Sequence, residues 1–227
     1  MSIERVDWDG VYRQEGPFAG PPPWNIGEPQ PELVALIDAG EIRGDVLDAG
    51  CGHAALALRL AAKGHTVVGV DMSPTAIAAA TATAKQHGLA AASFVCADIT
   101  TLSGFDGRFS TVMDSTLFHA LPLEDRDRYL HAVHRAAVPG ARYFVLVFAR
   151  GAFGGKTQLP IQAVDESELR AAVSKHWTVD EIRPASIHVL PHRLDDGESM
   201  VVPSDLPSDE KGRILYPAYL LRAHKPV

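Results

Sequence analysis

The stretch Val46-Leu47-Asp48-Ala49-Gly50-Cys51-Gly52-His53-Ala54-Ala55 decides the fold of this chain. A short apolar run closed by a carboxylate passes into two glycines and then an alanine- and leucine-rich segment, which reads as buried strand, tight turn and helix. Gly50 and Gly52 let the backbone turn sharply and approach a ligand closely. The same strand ending recurs in Val67-Val68-Gly69-Val70-Asp71, Cys96-Ala97-Asp98 and Val112-Met113-Asp114. In a parallel sheet these acids would collect along the carboxyl edge, where doubly wound folds bind ligands.

Outward from this stretch, strands are predicted near 45–49, 66–70, 92–96, 109–114 and 141–148, with helices near 54–63, 74–86 and 123–137. That alternation is the signature of an α/β fold with parallel crossovers. Ser73-Pro74 supplies a cap and a first-turn proline, and Gly64, Gly88 and Pro139-Gly140 stand where helices should stop. Pro31 opens a further helix that ends before Gly40. Beyond Phe148 the pattern predicts a helix near 165–174 and strands near 177–189 and 213–222, the last pair an antiparallel hairpin with a long polar connection at 195–212.

Residues 1–30 are rich in proline and aromatics, including Trp8, Tyr12, Phe18 and Trp24, and read as an ordered cap ahead of an α/β domain over 31–227. With 227 residues and 46% hydrophobic composition, one domain with a substantial core is expected. A formal charge of −7 argues against nucleic acid as a partner and for a small molecule. Cys51 and Cys96 lack the spacing of a metal site and read as reduced thiols in a cytoplasmic protein. The first residues lack the apolar run of a signal peptide, and no stretch is apolar for long enough to predict a membrane span.

The strand-end acids bear on ligand choice. A dinucleotide pyrophosphate is best met by backbone N–H groups and a helix amino terminus, whereas Asp48 beside the glycine turn suits an ammonium or a sulfonium. S-adenosylmethionine carries both cations. Asp71 is placed to accept hydrogen bonds from ribose hydroxyls, with Met72 flanking the adenine. Asp98 is placed to accept from the exocyclic amine, with Ile99 packed on the ring beside Ala97.

On these residues the chain resembles the class I S-adenosylmethionine-dependent methyltransferases, carried by Asp48-Ala49-Gly50-Cys51-Gly52 with Asp71, Asp98 and Asp114 over roughly residues 30 to 150. The resemblance implies a Rossmann-like, mostly parallel seven-stranded sheet with an antiparallel last strand and helices on both faces. It also implies S-adenosylmethionine as cofactor and S-adenosylhomocysteine as product. Ala54 departs from the family pattern, which often has a third glycine there. Pro23-Trp24-Asn25-Ile26-Gly27 is similar to the early segment of thiopurine, thiol and halide methyltransferases that covers the cofactor. Asp114-Ser115-Thr116-Leu117-Phe118-His119-Ala120-Leu121-Pro122 resembles actinobacterial small-molecule methyltransferases directed at thiols or quinones.

The candidate cofactor-binding set is therefore Trp24, Asp48, Gly50, Cys51, Gly52, Asp71, Met72, Ala97, Asp98 and Ile99, with Asp114, Ser115 and Thr116 facing the methionine part. The candidate acceptor pocket comprises Tyr12, Phe18, His119, Phe148, Arg150 and Phe153, with the glycines at 151, 154 and 155 permitting a lid. His119 is the candidate general base for amine or alcohol acceptors, which lose a proton on methylation. No metal is expected. Two other readings remain open at this stage. Gly50-x-Gly52-x-x-Ala55 also fits a relaxed dinucleotide fingerprint, as in a nicotinamide-dependent oxidoreductase, and the fold alone would also allow a non-catalytic sensor.

Overall fold

The computed structural model describes residues 6–15, 20–153, 161–191 and 206–227. Its elements in chain order are α1 (Trp8–Tyr12), α2 (Pro31–Asp38), β1 (Val46–Ala49), α3 (Ala55–Ala62), β2 (Val67–Asp71), α4 (Pro74–Gln86) and β3 (Ala92–Cys96). There follow β4 (Phe109–Ser115), α5 (Leu123–Ala136), β5 (Ala137–Phe148), α6 (Glu166–Val173), β6 (Thr178–Val189) and β7 (Ile214–His224). Local chemistry sets the ends. Pro31 and Pro74 occupy the first helical turns, and the Ser73 side chain caps α4 by accepting from Ala76 N–H. The helix α5 stops at Ala136, ahead of Pro139-Gly140, because the chain is already extended at Ala137 and paired with β4.

Seven strands form one sheet in the order β3-β2-β1-β4-β5-β7-β6. Pairings from β3 through β5 are parallel, and β7 is antiparallel to both of its neighbours. The order reverses between β1 and β4, and a crevice opens at such a switch point outside the strand carboxyl ends. Both faces are covered. Leu47, Val112, Tyr143 and Val145 pack with Tyr129, Leu130 and Val133 of α5 on one face, and Val46, Met113, Phe144 and Leu146 pack with Leu33, Leu36 and Leu60 on the other.

The described residues before α2 lie against the carboxyl end of the sheet and are tied to it at several points. Asp9 Oδ1 accepts from Ser73 Oγ at 2.6 Å and Thr75 N at 3.0 Å, which docks α1 on the start of α4. Gln30 exchanges two hydrogen bonds with the backbone of His188 in β6, at 2.9 and 2.8 Å. Glu28 accepts from Arg213 and Lys211, both at 2.5 Å. Phe18, Gly154, Gly155 and most of the polar connection expected at 195–212 lie outside the described residues. Among the described residues no helix is long and apolar enough to cross a membrane, and no cluster of side chains could hold a metal ion.

Candidate active site

A concave pocket runs along the carboxyl ends of β3, β2, β1 and β4 beneath the amino-terminal segment. Asp48, Asp71 and Asp98 all line it, as do Gly50, Cys51, Gly52, Met72, Ala97 and Ile99. Sheet parity explains which acids arrive there. Asp48 is in register with Gly69 and Met113, whereas Ala49 is in register with Asp114. Side chains alternate between faces, so Asp114 projects from the face opposite to Asp48.

The sequence expectation for Asp114 is corrected accordingly. It does not line the pocket. It is fully buried, its Oδ2 accepts from Tyr129 Oη at 2.7 Å, and its Oδ1 accepts from the backbone N–H groups of Leu117 at 2.8 Å and Phe118 at 3.3 Å. It shapes the turn after β4, and Tyr143 extends the network to Tyr129 at 3.1 Å. Burial pushes its carboxyl up to about 7 despite these donors.

The pocket acids are anchored without being saturated. Asp71 Oδ2 accepts from Gly52 N–H at 2.8 Å and Oδ1 from Ser73 N–H at 2.9 Å, leaving a lone pair on each oxygen for a further donor. Asp98 Oδ1 accepts from Thr100 through N–H and Oγ1, both at 2.8 Å, which sets the 3-10 turn Ile99–Thr101. Asp48 is 1% exposed; its Oδ2 accepts from Ala57 N–H at 3.1 Å, while its Oδ1 has no partner. Burial, with smaller contributions from the charges of Asp114 and Asp71, lifts Asp48 to about 7. A buried carboxylate oxygen lacking a donor costs free energy until a cation or donor meets it.

The glycines earn their places by geometry. Gly50 has φ +68° and a Cβ there would lie 2.9 Å from the Leu117 side chain; Gly52 has φ +53° and its Cβ would lie 2.5 Å from Tyr12 Oη. Ala54 adopts φ +61°, the left-handed conformation that a third glycine would take without strain. Thr116 holds φ +73° in the pocket wall. For a β-branched residue that is an outlier costing on the order of 1–3 kcal/mol, the kind of strain that concentrates at ligand sites.

Toward β4 and β5 the lining turns apolar, with Leu117, Ala120, Leu121, Phe148 and Ile161 beside Ser115, Thr116 and His119. His119 is 3% exposed and packs on Phe148 with ring centroids 4.6 Å apart. Its Nδ1 accepts from the Phe148 backbone N–H at 3.3 Å, so the proton of the neutral ring sits on Nε2. Burial, and then the nearby Arg126 charge, push its pKa down to about 3. The general-base expectation is therefore corrected: the lone pair that would take a proton already faces a donor, and the free nitrogen already carries one.

Two other acceptor-pocket expectations change. Arg150 points away from the pocket into ion pairs with Asp165, at 2.7 Å, and Glu168 on the outer surface. Phe153 stands behind Phe148, centroids 4.9 Å apart, and backs the wall without lining it. Tyr12 and Trp24 do line the pocket; Tyr12 stacks edge-on with His53 at 5.0 Å and Trp24 with Trp8 at 6.0 Å. Sequence reasoning passed over Asn25, His53, Leu117, Leu121 and Ile161 as pocket residues. Asn25 Nδ2 donates to His53 Nδ1 at 2.8 Å, tying the Pro-Trp-Asn segment to the glycine turn, and both residues neighbour positions that the motifs had marked. Ile161 has no motif near it and enters only through the tertiary fold.

Over 220 residues the chain is 46% identical to the 2-heptyl-1-hydroxyquinolin-4(1H)-one methyltransferase of Mycobacteroides abscessus, covering 96% of both proteins. The chain is a class I S-adenosylmethionine-dependent methyltransferase. The family model "Methyltransferase domain" matches residues 46–140 of this methyltransferase, from β1 into β5. It superposes with TM-score 0.80 and 34% identity on a solved structure described as the conversion of a disulfide bond into a thioacetal group during echinomycin biosynthesis, covering 96% of this chain and 91% of that one. The 1,6-didemethyltoxoflavin-N1-methyltransferase of Burkholderia thailandensis, solved with S-adenosylhomocysteine, shares the fold at TM-score 0.60 and 20% identity, covering 87% and 77%. The enzyme uses S-adenosylmethionine to methylate a small molecule. Its residues fit that cofactor: the glycine turn keeps the pocket floor low where a Cβ at Gly50 or Gly52 would run into Leu117 or Tyr12, and the partnerless oxygen of Asp48 suits a cation.

Proposed function

We propose that this methyltransferase methylates a sulfur, nitrogen or oxygen atom of a small hydrophobic or aromatic acceptor. One observation carries the reading: one pocket is acidic where a cationic nucleoside would lie and apolar, with an aromatic wall, where an acceptor would meet it. In this reading Asp71 holds the ribose hydroxyls and Asp98 the adenine amine, with the ring between Met72 and Ile99 beside Ala97. Asp48, Gly50 and Cys51 face the ammonium and sulfonium, and Ser115 and Thr116 flank the methionine part. The described part of residues 1–30 acts as a cap, with Trp24 and Tyr12 closing the pocket over Gly52.

When bound, S-adenosylmethionine supplies a methyl already activated on a sulfonium, so the protein's task is alignment and exclusion of water. Leu117, Leu121, Phe148 and Ile161 provide the flat apolar walls that orient an aromatic ring. The Mycobacteroides abscessus relative is named for a bicyclic heteroaromatic, which makes quinolones, phenols and aromatic thiols the first acceptors to try. Isothermal titration with S-adenosylhomocysteine, followed by turnover against such a panel, tests the reading. Tight cofactor binding with turnover confined to aromatic heteroatoms supports it; preference for aliphatic or macromolecular acceptors overturns it.

A further inference from the structure

Resting on the reading above, we propose that the acceptor enters as an anion, its proton already lost to solvent, and that His119 Nε2–H donates a hydrogen bond to it. Two independent features converge on the pocket end formed by the turn after β4. First, the Phe148 N–H fixes the His119 tautomer through Nδ1, and Nε2 has no partner among the described residues. His119 lines the pocket, so its free N–H is offered to whatever lies against Phe148 and Leu121.

Second, Arg126 of α5 stands behind that wall. It is 8% exposed, its guanidinium lies 4.7 Å over the Phe118 ring, and it donates to the Gln162 carbonyl at 2.6 Å. It has no carboxylate within ion-pair distance among the described residues, and its Nε is buried without a partner. Asp114 and Glu168 act on it only at longer range. A guanidinium so placed leaves a positive potential at this end of the pocket, and a low-dielectric wall transmits it.

Among the described residues at this end none is free to take a proton, and Asp48, whose Oδ1 is partnerless, lines the nucleoside end and faces the cofactor's cations in this reading. His53 accepts from Asn25 through Nδ1 and is held below its usual range by burial, and Glu28 is engaged by Arg213 and Lys211. The elements packed on His119 from β5 and from residues 161–164 present Phe148, Ile161 and Gln162, none of which titrates; Arg126 is the charged group whose field reaches the ring. The proton balance then closes in solution. The acceptor R–XH gives its proton to water, R–X⁻ forms the X–CH3 bond as the S–CH3 bond breaks, and the electron pair stays on sulfur. Anion and sulfonium become two uncharged groups, a change that a dry apolar pocket favours over bulk water. The acceptor class is therefore one with an acidic heteroatom, such as an N-hydroxy heteroaromatic, an electron-poor phenol or an aromatic thiol.

The test is the pH dependence of kcat/KM at saturating S-adenosylmethionine, measured with 1-hydroxyquinolin-4(1H)-one, its ring-substituted forms and a series of para-substituted phenols. The midpoint of the rising limb should move with the acceptor's own pKa. His119→Gln, which keeps a donor near Nε2, should stay within about tenfold of the wild type, while His119→Phe should lose about 10–100-fold, the loss of one hydrogen bond to a charged group. A midpoint that stays fixed across acceptors, a His119→Gln variant as inactive as His119→Phe, or no turnover of any of these acids overturns the inference. S-adenosylhomocysteine titration of all three proteins separates the two readings: intact binding with a fixed midpoint sinks this inference alone, whereas no binding by the wild type sinks the cofactor assignment beneath it.

Discussion

The two ends of the pocket are built by different means. The nucleoside end is made of strand termini: Asp48, Asp71 and Asp98 each follow a short apolar run, and backbone hydrogen bonds to Gly52, Ala57, Ser73 and Thr100 hold their carboxylates in place. The acceptor end is made of side chains from separate parts of the chain, with Leu117, His119, Phe148 and Ile161 meeting only in the folded protein. The first design is local and repeats a pattern, so it tolerates little change. The second depends on packing and can be re-shaped by small substitutions without disturbing the sheet.

The sharpest way to break this comparison is at Asp71. Its replacement by Ala leaves the Gly52 and Ser73 N–H groups without their acceptor and is expected to weaken S-adenosylhomocysteine binding by about 1–3 kcal/mol, a factor of about 5–150. Calorimetric titration reads the loss directly, and unchanged affinity would place the nucleoside elsewhere.

A second expectation concerns charge. Asp48 has a folded-state value of about 7, raised by burial, and a bound cation stabilises its ionised form. Affinity for S-adenosylmethionine should therefore rise as pH increases toward 7 and level off above it, with at most about a tenfold change per pH unit. Asp48→Asn should flatten the dependence. Stability of the unliganded protein runs the other way. Asp48 and Asp114 both bind their proton more tightly folded than unfolded, so their contribution is fully present below about 4 and is lost as pH climbs to about 7. Thermal unfolding with and without cofactor across that window separates the two effects.

Smaller effects sharpen the contrast between scaffold and site. Ala54→Gly removes left-handed strain at the start of α3 and should stabilise the fold by up to about 1 kcal/mol, a rise in Tm of about 2–4 °C. Arg150→Ala, which breaks only exposed ion pairs, should change kcat/KM and stability hardly at all, within about 0.5 kcal/mol. A large loss of activity in that variant would return Arg150 to the acceptor site.

These contrasts explain what the sequence made legible. Strand positions, the glycine turn and three of the four acids follow from local pattern, because a parallel strand buried on both faces is a continuous apolar run with a marked end. Asp114 looked like the other acids in sequence, but a one-residue difference in register sends it to the α5 face, where it orders Leu117, Phe118 and Tyr129. His119 was visible as a pocket residue, while its role hangs on one backbone N–H from β5, 29 positions away, which no motif encodes. Phe148 and Phe153 differ for the same reason: one lines the pocket and the other supports it from behind.

The cofactor placement is tested at its root by a crystal structure with S-adenosylhomocysteine. Ribose oxygens should lie within hydrogen-bonding distance of Asp71, the adenine between Met72 and Ile99 with its amine toward Asp98, and the sulfur facing the wall formed by Leu117, His119 and Phe148. A nucleoside bound on the Asp114 side of the sheet, or one that leaves Asp48 and Asp71 untouched, would refute the placement.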